Sequence, residues 1–328
     1  MEGMLMEKME GIRPCNLNAT DEVKKVLTYL YEISGKAIIT GQHTQTRNQE
    51  ELEFIQKVTG KLPALCGFEL LSYSPNICRE TCHADSLKEI DENIGTLETA
   101  LEWAKKKGLI TFTWHWFSPL YNKDKGFYTK NSTFDATRAL QQGSKEHTAL
   151  LYDMDVMANY LKIFQQKNIP ILWRPFHESE GDWFWWSAKG PETAKQLYRL
   201  MYERYTNYHH LNHLIWVWNS PKKEGYVGDD VVDIISRDLY PKAHVHTDHK
   251  REWDELKALT GEQKVFAIAE IGTIPNIPQL SVSQVPWSYY MTWSNEFGRT
   301  EQYTFKEELY KAYKHPYAIT LDNLPVMY

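Results

Sequence analysis

Eight short runs of β-branched and aromatic residues, at 37–42, 62–68, 109–116, 169–176, 214–219, 232–240, 265–271 and 289–294, alternate with amphipathic stretches along the chain. Runs this uniformly apolar read as strands buried on both faces, and strands that alternate with helices line up in parallel. The stretches 90–107, 150–167 and 193–208 carry apolar residues at helical spacing, with Gly108 and Asn168 just past two of the expected helix ends. Closing eight such strands into a barrel leaves no unpaired edge. The expected class is therefore α/β, a single (β/α)8 TIM barrel. At roughly 150 residues per domain the 328 residues suggest two units, but barrels run longer as one, and no Gly-, Ser- or Pro-rich linker divides the chain. We expect an N-terminal extension over 1–19 and the barrel over 20–328.

Charge and composition exclude several classes of partner. A formal net charge of −6 offers no basic face to a phosphate backbone, and no apolar run approaches the length of a membrane span, so neither nucleic acid nor membrane is an expected partner. The first seventeen residues mix acids with apolar residues and lack the apolar core and cleavage site of a secretory signal. That leaves open a cytoplasmic protein or one whose signal has been removed. Cys78, Cys82 and His83 lie close together, but two sulfurs and one imidazole without a second pair make a poor metal set, and buried thiols or a local disulfide are the expected reading. No metal and no cofactor are expected, and the chain is expected to be a monomer.

On a barrel of this kind the chemistry sits where strands emerge at their C-terminal ends. The residues there form a consistent set: His43 after the first run, Glu69 after the second, His115 and Trp116 at the end of the third, and His177, Glu178 and Trp183 after the fourth. Tyr240 follows the sixth run, Glu270 lies near the end of the seventh and Trp293 near the end of the eighth. An apolar strand has no packing use for a terminal carboxylate. Glu178 and Glu270, at the ends of strands four and seven, face one another across the barrel mouth and can approach to about 5–5.5 Å, the separation of a retaining glycosidase. Glu270 would then attack the anomeric carbon while Glu178 protonates the departing oxygen and later activates water. The competing reading is a rim salt bridge for each glutamate, with Arg174 as the obvious partner.

The stretch Trp183-Phe184-Trp185-Trp186 follows the proposed acid directly. Consecutive side chains diverge in any regular conformation, so all four cannot face one core, and Trp183 is expected to be the exposed one. A histidine or a tyrosine near a strand end is as readily a satisfied core residue as a sugar contact; this holds for His115, His177, Tyr240 and, with less to support a contact, His43 and Glu69. Tyr240, if it faces the site, is placed to donate a hydrogen bond to Glu270.

These segments resemble a known family. Trp173-Arg174-Pro175-Phe176-His177-Glu178 with Gly181-Asp182-Trp183-Phe184-Trp185-Trp186 is similar to the signature of glycoside hydrolase family 26, the β-mannanases of a large retaining (β/α)8 clan. Gly41-Gln42-His43, Phe112-Thr113-Trp114-His115-Trp116, Trp216-Val217-Trp218-Asn219, Gly228-Asp229-Asp230, Val232-Asp233-Ile234, Asp238-Leu239-Tyr240-Pro241 and Ala269-Glu270-Ile271-Gly272 follow in that family's order. The resemblance implies acid/base for Glu178, nucleophile for Glu270, the histidine before the acid for His177, and the tryptophan lining the catalytic subsite for Trp183. It further implies the tyrosine bonded to the nucleophile for Tyr240, a substrate-contacting histidine for His115 and a stacking residue for Trp293. The sequence departs from the pattern at Glu69, where the family has aspartate at a distal subsite. The implied partner is β-mannan or a manno-oligosaccharide, cut by endo action and without a metal. Exo release of mannobiose, action on mixed-linkage β-glucan or β-1,3-xylan, and a sugar-binding barrel without catalysis are the alternatives. An exo enzyme needs a wall across one end of the cleft, for which 72–86 or 119–146 is long enough.

Overall fold

The computed structural model describes residues 12–120 and 126–328. Eight parallel strands close a barrel: β1 (Ile38–His43), β2 (Leu65–Glu69), β3 (Leu109–Thr113), β4 (Ile171–Arg174), β5 (Leu214–Asn219), β6 (Ile234–Leu239), β7 (Val265–Ile271) and β8 (Trp287–Thr292). Each pairs with the next, and β1 pairs with both β8 and β2, which completes the circle. A short β9 (Ala318–Ile319) adds to β1 with Ile38 opposite Ala318. The TIM barrel read from the sequence is the fold, and each of the eight runs overlaps its strand. The apolar character that marks them follows from burial on both faces, since the inner faces fill the barrel and the outer faces meet the helices.

The floor of the barrel is closed, which leaves the C-terminal mouth for the site. Helix Asp21–Ile33 begins at Thr20, whose hydroxyl accepts the Val23 N–H, and buries Val23, Val26, Leu27 and Leu30 completely. These four join Ile39, Leu65, Ile215, Val217 and Val265 in one core cluster, each contributing about 2 kcal/mol on burial. Ile12, Ala19 and Met327 complete the same layer, and the Cys15 N–H donates to Asp233 Oδ1 at 2.7 Å, so the segment before the first helix is packed on the barrel as far as it is described. Residues 1–11, most of the expected extension, lie outside the described residues.

One helical stretch departs from the sequence reading. The stretch 90–107 is not one helix: Ala84–Glu92 ends at Asn93, Gly95 turns the chain at φ 88°, and Thr96–Lys105 follows. The apolar spacing runs through the break and conceals it. Asn168 takes the left-handed conformation expected past a helix end, at φ 54°, but past the other helix that conformation falls on Lys107, at φ 63°. Gly108 serves a close approach instead, because a Cβ there would lie 2.3 Å from Nε1 of Trp103, which donates to the Leu109 carbonyl. Cys78 and Cys82 are unbridged and half-buried, not joined as a local disulfide.

Candidate active site

Glu270, on β7, sits in the barrel mouth at 5% exposure and receives two donors. Arg174, the last residue of β4, reaches across to give Glu270 Oε2 a hydrogen bond of 2.7 Å, and the Tyr240 hydroxyl donates to Oε1. Arg174 is itself buried and grips Asp238 with its other nitrogen at 2.9 and 3.1 Å. Asp238 is brought opposite Glu270 by a slip in the β6–β7 register between Arg237 and Asp238. A bulge of this kind re-aims a side chain, here a second carboxylate into the guanidinium's reach.

Glu178 faces this group from just past β4. Its backbone is left-handed at φ 51°, as is that of Phe176, a conformation costly for non-glycine residues. Asn219, the last residue of β5, holds it there: Oδ1 accepts the Glu178 N–H at 2.8 Å while Nδ2 donates to Asp238 at 2.8 Å. Asp238 therefore braces both glutamates, one through Arg174 and one through Asn219. Oxygens of Glu178, Asp238 and Glu270 all lie within 4.8 Å of one another. The separation suits direct attack at one carbon and is too short for the roughly 6.5–9.5 Å that an inverting enzyme needs to admit water.

Burial and the Asp238 charge push both glutamates well above the ordinary carboxylate range, and the two titrate as a pair that retains a proton near neutrality. The hydrogen bonds decide where it resides. Glu270 has a guanidinium and a phenol, whereas Glu178 has only the Trp183 indole, whose Nε1 donates to Oε2 at 2.8 Å. Donors stabilise the ionised form, so the carboxylate is Glu270 and the acid is Glu178. The Trp183 ring reaches back to Glu178 because residue 181 is glycine; a Cβ there would lie 1.9 Å from the indole.

A cavity of about 370 Å³ opens around the two glutamates, lined among others by His43, Glu69, His115, His177, Tyr240 and Trp293. Trp293 stacks on His43 with ring centres 4.0 Å apart. His115 and His177 meet through their Nε2 atoms at 3.1 Å. Glu92, Asn93 and Glu89 approach from helix Ala84–Glu92 and its end, and Phe127 and Tyr128 from the loop after β3. Of the two segments expected to wall the cleft, 119–146 contributes Phe127 and Tyr128, while 72–86 does not line it and the chain on either side does, at Leu71 and from Glu89 to Asn93; 121–125 lie outside the described residues.

Against known proteins, the sequence profile of glycosyl hydrolase family 26 matches residues 15–323. The chain belongs to glycosyl hydrolase family 26. It is 36% identical over 317 residues to a mannan endo-1,4-β-mannosidase of Thermothelomyces thermophilus, covering 94% of this chain and 62% of that one. Among solved structures it resembles the Podospora anserina GH26-CBM35 β-(1,4)-mannanase, with a TM-score of 0.85, 35% identity, and coverage of 95% of this chain and 69% of that chain. A β-mannanase from a symbiotic protist of the termite Reticulitermes speratus, complexed with gluco-manno-oligosaccharide, matches at TM-score 0.85 and 28% identity over 96% of this chain and 98% of that one. The chain spans about half to three-fifths of the length of the curated mannosidases it matches.

Within this family 26 barrel most of the residues singled out in the sequence come together, and one does not. Trp116 is 1% exposed, stacks on Trp114 at 4.1 Å and donates to Asp153 at 2.8 Å, away from the cavity. Neighbours on an extended chain point to opposite sides, so once His115 faces the mouth, Trp116 faces the helices. Of the four aromatics after Glu178 only Trp183 is exposed, at 41%; Phe184, Trp185 and Trp186 are buried. Glu69 lines the cavity, but both of its oxygens are engaged by Leu71 and His115, so it is a support beneath the histidine. The Arg174 salt bridge expected under the competing reading exists, but it is buried and ends on Glu270 beside Glu178 rather than on an exposed rim. Asp238 and Asn219 were passed over as site residues. Each is a polar side chain inside an apolar run, which is the signal that could have found them.

Proposed function

We propose that the chain hydrolyses β-1,4-mannosidic linkages in mannan or manno-oligosaccharides by endo action and double displacement, with Glu270 as nucleophile and Glu178 as acid/base. The observation that carries this reading is the unequal bonding of two carboxyls within 4.8 Å of each other, one bonded by Arg174 and Tyr240, the other by the Trp183 indole alone. The choice of mannan leans on the relatives, which are mannan endo-1,4-β-mannosidases and a β-(1,4)-mannanase. Glu270 forms the bond to the anomeric carbon as Glu178 gives its proton to the leaving oxygen; Glu178, now a carboxylate, then takes a proton from water as that water displaces Glu270. The same single barrel, taken as the catalytic unit, is the domain organisation we propose for 20–328.

A time course on β-1,4-mannan, manno-oligosaccharides, mixed-linkage β-glucan and β-1,3-xylan tests the reading. A ladder of products from mannan supports endo action, and release of mannobiose alone would replace it with exo action. First-formed product of α configuration by NMR would rule out retention.

Two further outcomes follow from the hydrogen bonds. The acid must carry its proton, so kcat/KM is expected to fall about tenfold per unit above about pH 7, as Glu178 loses its proton, and to fall also toward acid pH, where Glu270 becomes protonated. A profile flat from about pH 6 to 9 would remove Glu178 from the acid role. Tyr240→Phe deletes one donor to Glu270 and is expected to lower kcat about 10- to 100-fold with a smaller change in KM. A change in KM alone would mean that the tyrosine only binds sugar.

A further inference from the structure

Besides the two glutamates and Asp238, a further acid lines the cavity that the proposed reaction does not use. Glu69 is 4% exposed at the end of β2, and it accepts the backbone N–H of Leu71 and of His115, each at 2.8 Å, through Oε1. Its other oxygen lies 2.6 Å from His115 Nδ1, which must therefore carry a hydrogen. The far side of the ring, Nε2, meets Nε2 of His177 at 3.1 Å, and one hydrogen must lie on that line as well. The rings around this chain are Phe127 and Phe184, 4.8 and 5.5 Å from His115. A buried carboxylate in such surroundings is expensive unless a cation faces it.

We propose that Glu69 is a positioning residue that keeps His115 as an imidazolium, donating from Nδ1 to Glu69 and from Nε2 to a neutral His177, and that this fixed positive charge favours the ionised form of Glu270. The role of Glu270 rests on the function proposed above; the state of His115 does not. His177 accepts, because burial and the charges of His115 and Arg174 hold it well below the ordinary imidazole range; a neutral ring that accepts at Nε2 carries its hydrogen on Nδ1, which is buried and meets no partner among the described residues. Burial lowers His115, but the Glu69 carboxylate and its hydrogen bond outweigh this and raise it. The other charged or titratable groups facing His115 are Glu89 from helix Ala84–Glu92, His43 from β1, Arg174 from β4, Asp238 from β6 and Glu270 from β7. Arg174 opposes the proton on His115, the acids favour it, and His43 is held neutral by burial. Among the acids only Glu69 touches the ring.

The test combines side-chain ¹H–¹⁵N NMR of the histidines with the pH profile of kcat/KM, in the wild type, Glu69→Gln and Glu69→Asp, with His115→Asn used to assign the resonance. Wild-type His115 is expected to show both ring N–H groups at neutral pH. Glu69→Gln should lower its titration midpoint by one unit or more, and should move the acid limb of kcat/KM upward as Glu270 loses the nearby cation. Glu69→Asp keeps the charge and should keep the imidazolium, even where the shorter arm slows turnover. A neutral His115 in the wild type, or a midpoint unmoved in Glu69→Gln, would overturn the proposal, and both readings need only folded protein. A midpoint that falls while the acid limb stays in place would overturn its effect on Glu270. If no glycan is cut, the functional reading fails while the NMR result still decides the state of His115.

Discussion

Glu270→Ala is expected to abolish turnover on every substrate, including those with excellent leaving groups, by on the order of 10⁴- to 10⁶-fold. The size follows from what the residue is asked to do. Of the other two carboxyls within 4.8 Å, Glu178 is, on the proposed mechanism, needed to protonate the leaving oxygen at the same moment, and Asp238 is tied to Arg174 and Asn219. No neighbouring group can take over bond formation, so improving the leaving group cannot help. The variant also removes a buried anion from beneath a buried guanidinium, yet Arg174 keeps Asp238 and Thr113 as partners, so the barrel is expected to remain folded and to bind sugar. The check is a rate measured on mannan and on an activated aryl glycoside, alongside binding of a manno-oligosaccharide by calorimetry. Residual cleavage of the aryl glycoside above about 1% of wild type would show that another group forms the intermediate.

How far the sequence carried this site depends on which physical signal each residue leaves. The strands were legible because both of their faces are buried, which writes an unbroken apolar run. Their ends were less so: the third, fourth and sixth runs extend past Thr113, Arg174 and Leu239, where the strands stop. Those overshoots are functional ground, since His115 and Tyr240 lie in them and His177 directly follows one. Glu178 and Glu270 stood out because a carboxylate at the end of a buried run has no packing use. Asn219 and Asp238 left a fainter mark of the same kind, a polar atom where a strand interior should be apolar, and Arg174 was read only as a salt-bridge partner. The β9 pairing is two residues long and leaves no periodicity to detect. Glu89, Phe127 and Tyr128 reach the cleft from segments outside the barrel strands, whose path no local pattern announces.

Glu178→Ala is expected to behave differently, and the difference separates the two roles. On mannan, where the departing sugar oxygen is a poor leaving group, loss of the proton donor should cost about 10²- to 10⁴-fold. On an aryl glycoside whose phenolate leaves unaided, the first step needs no proton, so Glu270 should still form the glycosyl-enzyme; the second step then slows for want of a base to activate water. A burst of phenol equal to the enzyme concentration, followed by a slow steady rate, is the expected time course, and mass spectrometry should find the chain heavier by the sugar. A small anionic nucleophile such as azide, needing no base and admitted by the removed carboxylate, should restore turnover and leave its own adduct on the product. The basic limb near pH 7 should also vanish in this variant, because the group that gives rise to it is gone. Should the burst be absent and azide without effect while mannan hydrolysis is lost, Glu178 would be a binding or structural residue, and the proton would have to come from elsewhere. The unequal bonding of the pair argues for the former outcome: Trp183 leaves Glu178 with one weak donor at the edge of the cleft, where a proton can be given and recovered, while Arg174 and Tyr240 hold Glu270 ionised and aimed from below.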